Sequence, residues 1–463
     1  MIRFTLLAPC FLILLTCWQL PLSAAEPKAD HCVVLISVDG LANFYLDDPK
    51  AELPTIRKLA AEGARATQGM TSSFPTVTWP NHTTLVTGVP PTKHGVIGNN
   101  YLDRTTGKSV PFIPDPLFDK DEIVKSPTVY DVVAEAGLKT AGIIWPATRN
   151  AKNLHWTVPD MAGDDAWPKY GTPSWLAELR EAGIPIEKHG AWCKESSGGV
   201  PRDWLYTRLF SHVVKQHQPN LVLIHLVEVD HVQHKFGPKT PEAYWAVSYA
   251  DDRVRDIVEA VKNSPNGDRT TIIVASDHGF FPISKDIRVN VAFKELKQAN
   301  GEPAVKCVSQ GGGCMVYILD EDRKVPLQKL IKDRLPLIEG IEEVFTPDQF
   351  PKIGQLTPDT DARAPDFWLA SRSGYSFTDS TAGDDTVVPR GPGGTHGYMP
   401  QHPEMQAMLV IAGAGIRPGT DLGQVSNLDV APTMAALLGV SMPTADGQVR
   451  KEAFKESETK IEK

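Results

Sequence analysis

Five mostly apolar runs, rich in Val, Ile and Leu, are spaced along the chain. They lie at residues 32–38, 139–145, 220–229, 270–276 and 406–412. A short run without regular polar alternation is typical of a strand covered on both faces, as in a parallel sheet. Segments with helical periodicity separate the runs. The pattern therefore predicts an α/β fold with a mainly parallel central sheet.

The segments between these runs differ in character. Helices are predicted at 53–64, 204–216 and 428–438, and a long amphipathic one begins at Thr240-Pro241 and continues to about residue 262. Residues 151–201 have weak periodicity and many Trp, Pro and Gly residues, which predicts a surface excursion. Residues 281–394 are irregular, with short strands and many turn residues, which predicts an inserted lobe.

The composition fits one large globular domain. Of 463 residues, 41% are hydrophobic and 22% charged, and the 38 Pro and 36 Gly are distributed between the apolar runs. We expect a domain at 26–447 that carries the insertion at approximately 281–394. A charged tail at 448–463 is expected to be frayed.

The first 25 residues have the features of a secretory signal. Arg3 supplies a positive start, an apolar stretch follows, and three small residues end the segment. An uncleaved membrane anchor is the alternative, but Pro9, Gln19 and Pro21 interrupt the apolar stretch. We therefore expect a secreted or periplasmic protein without stable membrane insertion.

Four cysteines follow this segment, namely Cys32, Cys193, Cys307 and Cys314. Export permits a disulfide without requiring one. Cys307 and Cys314 flank a glycine-rich turn that could bring them together, whereas Cys32 lies in an apolar run and is expected to be a buried thiol. No cysteine spacing indicates a zinc knuckle.

The formal net charge of −9 limits the partners. No basic stripe is present that could neutralise a run of phosphates, which argues against a nucleic-acid polymer as partner. A small anionic substrate would therefore need help from metal ions. The sequence leaves the oligomeric state open.

The stretch at 71–88, TSSFPTVTWPNHTTLVTG, is expected to connect the end of a strand to the start of a helix. It places the hydroxyl of Thr78 at this junction. Pro80 fits the first helical turn, and Thr78 is expected as the N-cap. The free N–H groups and the dipole of a helix N-terminus attract phosphate, so Thr78 could attack or bind a phosphoryl group. Taken alone, the stretch favours an ordinary capped helix. Asn81 begins a glycosylation sequon whose place in this segment makes the match accidental.

Carboxylates and imidazoles gather where the apolar runs end. The candidates are Asp39, Asp230 with His234 four residues later, Asp277 with His278, and His396 in a glycine-rich loop. Singly, each has an ordinary explanation as a turn, loop or surface residue. Together, the strand ends of a parallel sheet converge at one edge. Three Asp, three His and one hydroxyl are a suitable set for two zinc-like sites without cysteine.

These segments resemble the nucleotide pyrophosphatase/phosphodiesterase family of the alkaline phosphatase superfamily. The resemblance extends in order over roughly residues 32–440 and rests on VDG at Asp39, FPTVTWPNHTTLVTG around Thr78, GVIGNN at Asn99, the Asp230/His234 pair, SDHGF at Asp277 and GGTHGY at His396. It implies a three-layer α/β/α alkaline phosphatase-like domain with an inserted smaller lobe.

The resemblance also implies roles for individual residues. Asp230, His234 and His396 would hold one zinc ion. Asp39, Asp277 and His278 would hold the other, together with the Thr78 oxygen, and manganese or iron could compete at one site. Thr78 would be the nucleophile. Asn99 and the Thr78 backbone N–H would contact a phosphate oxygen, and Trp79 would help to stack the substrate.

The implied activity is that of an exported metal-dependent hydrolase. It would cleave phosphodiester or pyrophosphate bonds of nucleotide-like or other small diesters through a threonyl-phosphate intermediate. A phosphomonoesterase or phosphonate hydrolase of the same superfamily is one alternative. A catalytically inactive exported metal-binding protein is another. Trp79 stands where better-known members have Phe, and Met399 where they often have Asp, so the leaving-group preference is open.

Aromatic residues near the site favour a diester. Trp79, Tyr101 and Trp145 could supply an apolar wall for its second group. Monoesterases of the superfamily usually add a cation for the extra charge of the dianion, and Arg149 could turn back toward the phosphate. The position of Arg149 in the sequence favours a solvent-facing loop residue. We predict a preference for diesters.

Overall fold

The computed structural model describes residues 27–113, 118–195 and 198–456. The expected signal segment and the last seven residues of the tail lie outside these ranges.

Twenty strands are present in the described residues. They are β1 (Cys32–Val38), β2 (Ala64–Arg65), β3 (Met70–Thr71), β4 (Asn100–Asp103), β5 (Lys108–Pro111), β6 (Thr140–Trp145), β7 (Trp156–Pro159), β8 (Leu221–Leu226), β9 (Thr270–Ala275), β10 (Phe281–Ile287), β11 (Val305–Gln310), β12 (Gly313–Ile318), β13 (Ile341–Phe345), β14 (Phe367–Ser371), β15 (Gly374–Phe377), β16 (Val387–Pro389), β17 (Gly394–Thr395), β18 (Leu409–Gly413), β19 (Thr420–Asp421) and β20 (Val425–Ser426).

Fifteen α-helices accompany them in the same ranges. They are α1 (Phe44–Asp47), α2 (Pro54–Glu62), α3 (Thr78–Thr87), α4 (Pro91–His94), α5 (Lys120–Ile123), α6 (Val129–Glu135), α7 (Ala166–Tyr170), α8 (Pro173–Glu181), α9 (His189–Cys193), α10 (Gly199–Gln216), α11 (Glu228–Phe236), α12 (Pro241–Lys262), α13 (Val289–Ala292), α14 (Lys324–Arg334) and α15 (Val430–Leu437).

The central sheet has eight strands in the order β19-β2-β18-β9-β1-β8-β6-β7. From β9 through β1, β8 and β6 to β7 every pairing is parallel. Strand β18 pairs antiparallel to β9. The mainly parallel sheet that the sequence predicted is confirmed. Strand β18, which corresponds to the last of the predicted apolar runs, is the antiparallel exception.

Strand β1 shows why these runs form buried strands. All seven of its residues are buried. Val34 and Ile36 face a core shared with α2, α10 and α12, while Val33 and Leu35 face a core shared with α3, α6 and α15. Alternate residues of one strand therefore bury apolar area on opposite faces, and the result is the expected three-layer α/β/α fold.

The chain between β9 and β18 builds the predicted lobe. An antiparallel sheet in the order β11-β12-β14-β13 packs with α14 around its own apolar core. Strand β10 leads into the lobe and β17 leads out, and Phe281 of β10 pairs with Thr395 of β17. This pairing returns the chain beside its starting point, so the loop after β17 lies close to the end of β9.

Two expectations about exposed segments are wrong. Residues 151–201 are not a surface excursion, because Trp167 and Trp175 are buried in the main core and α7 to α9 form there. Residues 449–456 are not frayed, since Ala453 and Phe454 are buried and Arg450 pairs with Asp429.

Cys32, Cys193, Cys307 and Cys314 are free thiols. Cys307 and Cys314 lie on the adjacent antiparallel strands β11 and β12 and are both buried. The hairpin thus brings them together as expected, without a bond between them. Among the described residues, no helix has the length and apolar character needed to cross a membrane.

Candidate active site

The carboxyl ends of β8, β1 and β9 form the edge at which the predicted ligands meet. Asp39 follows β1 directly, and Asp277 and His278 follow β9. Because β1 lies between β8 and β9 and pairs parallel with both, the three strands end side by side. The sheet edge therefore assembles residues that are far apart in the sequence.

Helix α11 supplies the next two candidates. The predicted strand at 220–229 ends earlier, at Leu226, and Asp230 and His234 lie one turn apart on α11. His234 Nε2 is 3.3 Å from Asp230 Oδ1. His396 Nε2 lies 3.5 Å from the same oxygen and 3.2 Å from His234 Nε2. These three side chains form the first ligand group.

A second group adjoins the first. His278 Nε2 lies 3.4 Å from Asp39 Oδ1 and 3.1 Å from Asp277 Oδ2. Asp230 also places a carboxylate oxygen within 4.8 Å of ligand atoms of Asp39 and His278, so it lies between the two groups.

The three imidazoles share one orientation. In each, Nδ1 contacts a main-chain carbonyl oxygen and must donate to it: His234 to Gly394 at 3.2 Å, His278 to Gly279 at 3.1 Å and His396 to Thr76 at 2.9 Å. A neutral imidazole with its proton on Nδ1 has a free lone pair on Nε2. In their neutral forms, all three rings therefore present the Nε2 lone pair, through which a metal ion binds.

Several buried polar atoms have no hydrogen-bond partner within the described ranges. Four of them belong to the two groups, namely Asp39 Oδ1, Asp230 Oδ1, Asp277 Oδ2 and His278 Nε2. Leaving such atoms without a partner is costly, because they lose their hydration and gain nothing in return. Divalent cations with oxygen and nitrogen ligands would satisfy all four, so the residues suit metal binding.

The electrostatics agree with this assignment. Burial raises the pKa of Asp39 well above its ordinary range, and the nearby carboxylates of Asp277 and Asp230 raise it further. Burial also raises the pKa of Asp277. Burial lowers the pKa of His278 to about 4, which keeps this ring neutral. The site thus combines crowded acidic groups with a neutral imidazole at His278, an environment that a cation stabilises.

Two histidines that sequence reasoning missed contact predicted metal ligands. His225 Nε2 lies 2.9 Å from Asp39 Oδ2, and its Nδ1 lies 3.2 Å from the Ile144 carbonyl oxygen. His82 Nδ1 donates to the Thr78 carbonyl oxygen at 2.9 Å. The one available signal for His225 was its polarity inside the apolar run NLVLIHLVEV.

Thr78 is the first residue of α3, and the N-cap is Val77. The prediction that Thr78 caps the helix is therefore wrong by one position. The correction matters chemically, because a capping hydroxyl would be bonded to the helix backbone. In the described part of the chain, no hydrogen-bond partner of Thr78 Oγ1 is found, and the hydroxyl lies at a helix N-terminus.

Asn99 lies against this helix start. Its Oδ1 accepts a hydrogen bond from the Trp79 N–H at 2.9 Å. Because the side-chain oxygen of Asn99 faces the Trp79 N–H, the NH₂ group of the same amide faces away from Trp79. Within the described residues, this NH₂ group has no hydrogen-bond partner. The structure thus places Asn99 beside Thr78 with a spare donor.

The predicted aromatic wall is largely buried. Trp79 is 1% exposed and stacks on Phe112, with ring centroids 5.9 Å apart. Trp145 is fully buried, and its ring centroid lies 5.0 Å from that of His82. Tyr101 is half-buried at the edge of the same cluster. Substrate contacts of Trp79 and Trp145 stay predictions, and neither indole has an open face in this structure.

Arg149 does not face solvent, so that interpretation is wrong. Its side chain is 8% exposed, and its Nε donates to Asp119 at 2.6 Å. Glu122 lies 3.7 Å from Nη2, and Tyr170 lies under the guanidinium. Two acids and a ring therefore already engage this cation.

Asn81 is fully buried and its side chain bonds to the surrounding backbone. The sequon at this position is inaccessible in the folded chain, as expected.

The chain matches one family model, described as type I phosphodiesterase/nucleotide pyrophosphatase, over residues 33–399. Venom phosphodiesterase of Macrovipera lebetinus is 24% identical over 88% of this chain and 43% of its own length. An uncharacterised pyrophosphatase/phosphodiesterase of Schizosaccharomyces pombe is 25% identical over 90% of this chain and 78% of its own. The chain thus spans less than half of the snake protein.

Solved structures show the same fold. Murine ectonucleotide pyrophosphatase/phosphodiesterase 5 superimposes with a TM-score of 0.68 at 17% identity, over 90% of this chain and 97% of that one. An inactive form of that murine protein in complex with AMP gives a TM-score of 0.67 at 18% identity, with the same coverage.

Proposed function

Because the chain belongs to the type I phosphodiesterase/nucleotide pyrophosphatase family, we propose that it hydrolyses phosphodiester or pyrophosphate bonds of small nucleotide-like or aryl diesters. The observation that carries the proposal is the position of Thr78. The Thr78 hydroxyl lies at the start of α3, and within the described residues it makes no capping hydrogen bond. The loop before Thr78 is bonded to the loop of a predicted metal ligand, because His396 Nδ1 and the Gly397 N–H both donate to the Thr76 carbonyl oxygen at 2.9 Å.

Two divalent cations complete the proposed site. Asp230, His234 and His396 would hold one, and Asp39, Asp277, His278 and the Thr78 oxygen the other. Ligand sets of Asp and His without thiolate suit zinc, and manganese or iron could compete at the Asp-rich site. When bound, such cations lower the pKa of a coordinated hydroxyl and stabilise negative charge on a departing oxygen.

In the proposed reaction, the Thr78 hydroxyl loses its proton and Oγ1 attacks phosphorus. The bond to the first alcohol or phosphate breaks, the departing oxygen takes up a proton, and a threonyl-phosphate remains. Water then attacks the same phosphorus, the bond to Oγ1 breaks, and the Thr78 hydroxyl is restored. Asn99 Nδ2 and the Thr78 backbone N–H hold a non-bridging oxygen. These donors are fixed before the reaction, so they stabilise charge as it develops without further ordering.

The engagement of Arg149 supports diesters over monoesters. A monoester dianion needs an extra cation, and Arg149, the candidate for it in the sequence, is already paired with Asp119 and Glu122. The AMP complex of the murine structural neighbour supports a nucleotide-like group.

A pair of assays tests this preference. We expect kcat/KM for bis-p-nitrophenyl phosphate to exceed that for p-nitrophenyl phosphate by at least about tenfold, a difference of about 1.4 kcal/mol in transition-state stabilisation. The reverse ranking, abolished by Arg149→Ala, would make the protein a phosphomonoesterase. Metal binding without cleavage of any phosphate ester would favour the inactive metal-binding protein.

We also propose that the protein is exported, since residues 1–25 have the charge, apolar stretch and small terminal residues of a secretory signal.

A further inference from the structure

The turn between β11 and β12, at residues 310–313, lies against two loops of the site. The Gly312 N–H donates to the His396 carbonyl oxygen at 2.7 Å. A Cβ at Gly311 would lie 2.4 Å from that oxygen, and one at Gly312 would lie 2.4 Å from the Tyr398 ring. Glycine is therefore required for this close approach. The inserted lobe thus touches the loop of a predicted metal ligand directly.

The same turn reaches the loop that carries Asn99. Gln310 is 4% exposed, and its Oε1 accepts the Asn99 N–H at 2.9 Å. Its Nε2 donates to the Asn100 carbonyl oxygen at 3.2 Å and to the Asn100 side-chain oxygen. A Cβ at Gly98 would lie only 2.7 Å from Gln310 Oε1, so glycine there leaves room for the amide.

These contacts form one chain of hydrogen bonds. Gln310 fixes the backbone of Asn99, and the side chain of Asn99 accepts from the Trp79 N–H, one residue after Thr78. The position of the spare NH₂ group of Asn99 is therefore fixed by two contacts: Gln310 holds the Asn99 backbone, and the Trp79 N–H holds the Asn99 side-chain oxygen. A shift of about 0.5 Å in such a donor is enough to impair a preorganised site.

We propose that Gln310 is a positioning residue, which the lobe supplies to hold Asn99 against the phosphate. The inference rests on the proposed function, because it assigns a role within that reaction. Within the described residues, the side chain of Gln310 hydrogen-bonds to Asn99 and Asn100 and to neither the nucleophile nor a metal ligand. Its effect should therefore pass through Asn99 alone.

A double-mutant cycle tests this dependence. Gln310→Met keeps the length of the side chain and removes both hydrogen-bonding groups. In the wild-type background it should lower kcat for bis-p-nitrophenyl phosphate about tenfold with KM changed less than about threefold, since Asn99 acts most strongly on developing charge. In the Asn99→Ala background it should lower kcat less than about twofold, because the group that it positions is gone.

Gln298→Met is the matched control. Gln298 lies in the same lobe, and its side chain donates to Pro303 within its own loop at 2.8 Å. This variant should retain the wild-type kcat. All variants should remain folded at the assay temperature, as checked by thermal unfolding, and should bind as much metal as the wild type. If Gln310→Met folds poorly, Gln310→Leu, which also removes both hydrogen-bonding groups, enters the same cycle with the same expected losses.

The outcomes separate the two proposals. Equal losses in both backgrounds, or no loss in the wild-type background, would overturn the positioning role while the proposed function stands. A wild-type protein that cleaves no phosphodiester would overturn the proposed function and this role with it.

Discussion

At the scale of single residues, Asp39 and the three ligand histidines each use one polar atom for a contact within the protein and leave the other for a metal ion. Asp39 uses Oδ2 to contact His225 and leaves Oδ1 for a cation, and the three imidazoles use Nδ1 for carbonyl oxygens and leave Nε2. Such outer contacts fix the direction of a ligand before the metal binds. Sequence reasoning found the residues that follow strands, because a carboxylate directly after an apolar run is visible in the sequence. It missed His225 and Gln310, since their partners become visible only in three dimensions.

His225→Ala should therefore weaken one site. Loss of the contact to Asp39 frees that carboxylate to turn, and we expect metal affinity at the Asp39/Asp277/His278 group to fall about 10- to 100-fold. Zinc titration of the metal-free protein by calorimetry measures this change.

His94→Ala is the control, because His94 is also fully buried but bonds to Thr84 and Val96. Its metal affinities should be unchanged. Equal weakening in both variants would show a general loss of structure.

At the scale of elements, the N-terminus of α11 is held by a buried carboxylate. Asp203 on α10 accepts the N–H groups of Val227 and Glu228 at 2.8 and 3.1 Å. This contact fixes the helix that carries Asp230 and His234. The sequence predicted most of these elements because their periodicity is strong: the helix expected at 240–262 is α12. The segment at 151–201 was misjudged, since its short helices bury tryptophans without a long periodic pattern.

Burial raises the pKa of Asp203 from 3.8 to about 6. A carboxyl whose pKa is higher in the folded state holds its proton more tightly there, so its contribution to stability falls as pH rises from about 4 to 6. Asp203→Asn stays neutral and should gain stability relative to the wild type by up to about 3 kcal/mol between pH 4 and pH 7. Urea unfolding of both metal-free proteins measures the difference.

Thr240→Ala provides the comparison. Thr240 caps α12 by accepting the Ala243 N–H at 3.2 Å, and its loss should cost about 1 kcal/mol at both pH values. A difference between the wild type and Asp203→Asn that stays constant with pH would contradict the raised pKa.

At the scale of the whole molecule, the predicted metal ligands join separate parts of the fold. Asp39 and Asp277 follow strands of the central sheet, Asp230 lies on α11, and His396 lies in the chain leaving the lobe. The resemblance in sequence predicted the α/β/α architecture correctly. It could not predict how the lobe contacts the site, because the β11–β12 turn carries only a glycine-rich signal typical of many hairpins.

Metal removal should therefore destabilise the whole domain. A ligand present at about 1,000 times its Kd adds about 4 kcal/mol to the free energy of unfolding per site. We expect a chelator to lower Tm by several degrees and added zinc to restore it, as followed by calorimetry. His396→Ala should respond less to both treatments. An unchanged Tm on chelation would argue against metal sites that stabilise the folded state.

Thr78→Ala tests the central claim most directly, because it removes the proposed nucleophile and leaves the six Asp and His ligands in place. The measurement pairs elemental analysis with hydrolysis of bis-p-nitrophenyl phosphate. We predict about two metal ions per chain, as in the wild type, and a loss of kcat of at least about a thousandfold. Retained hydrolysis in a variant with the same metal content would contradict the account.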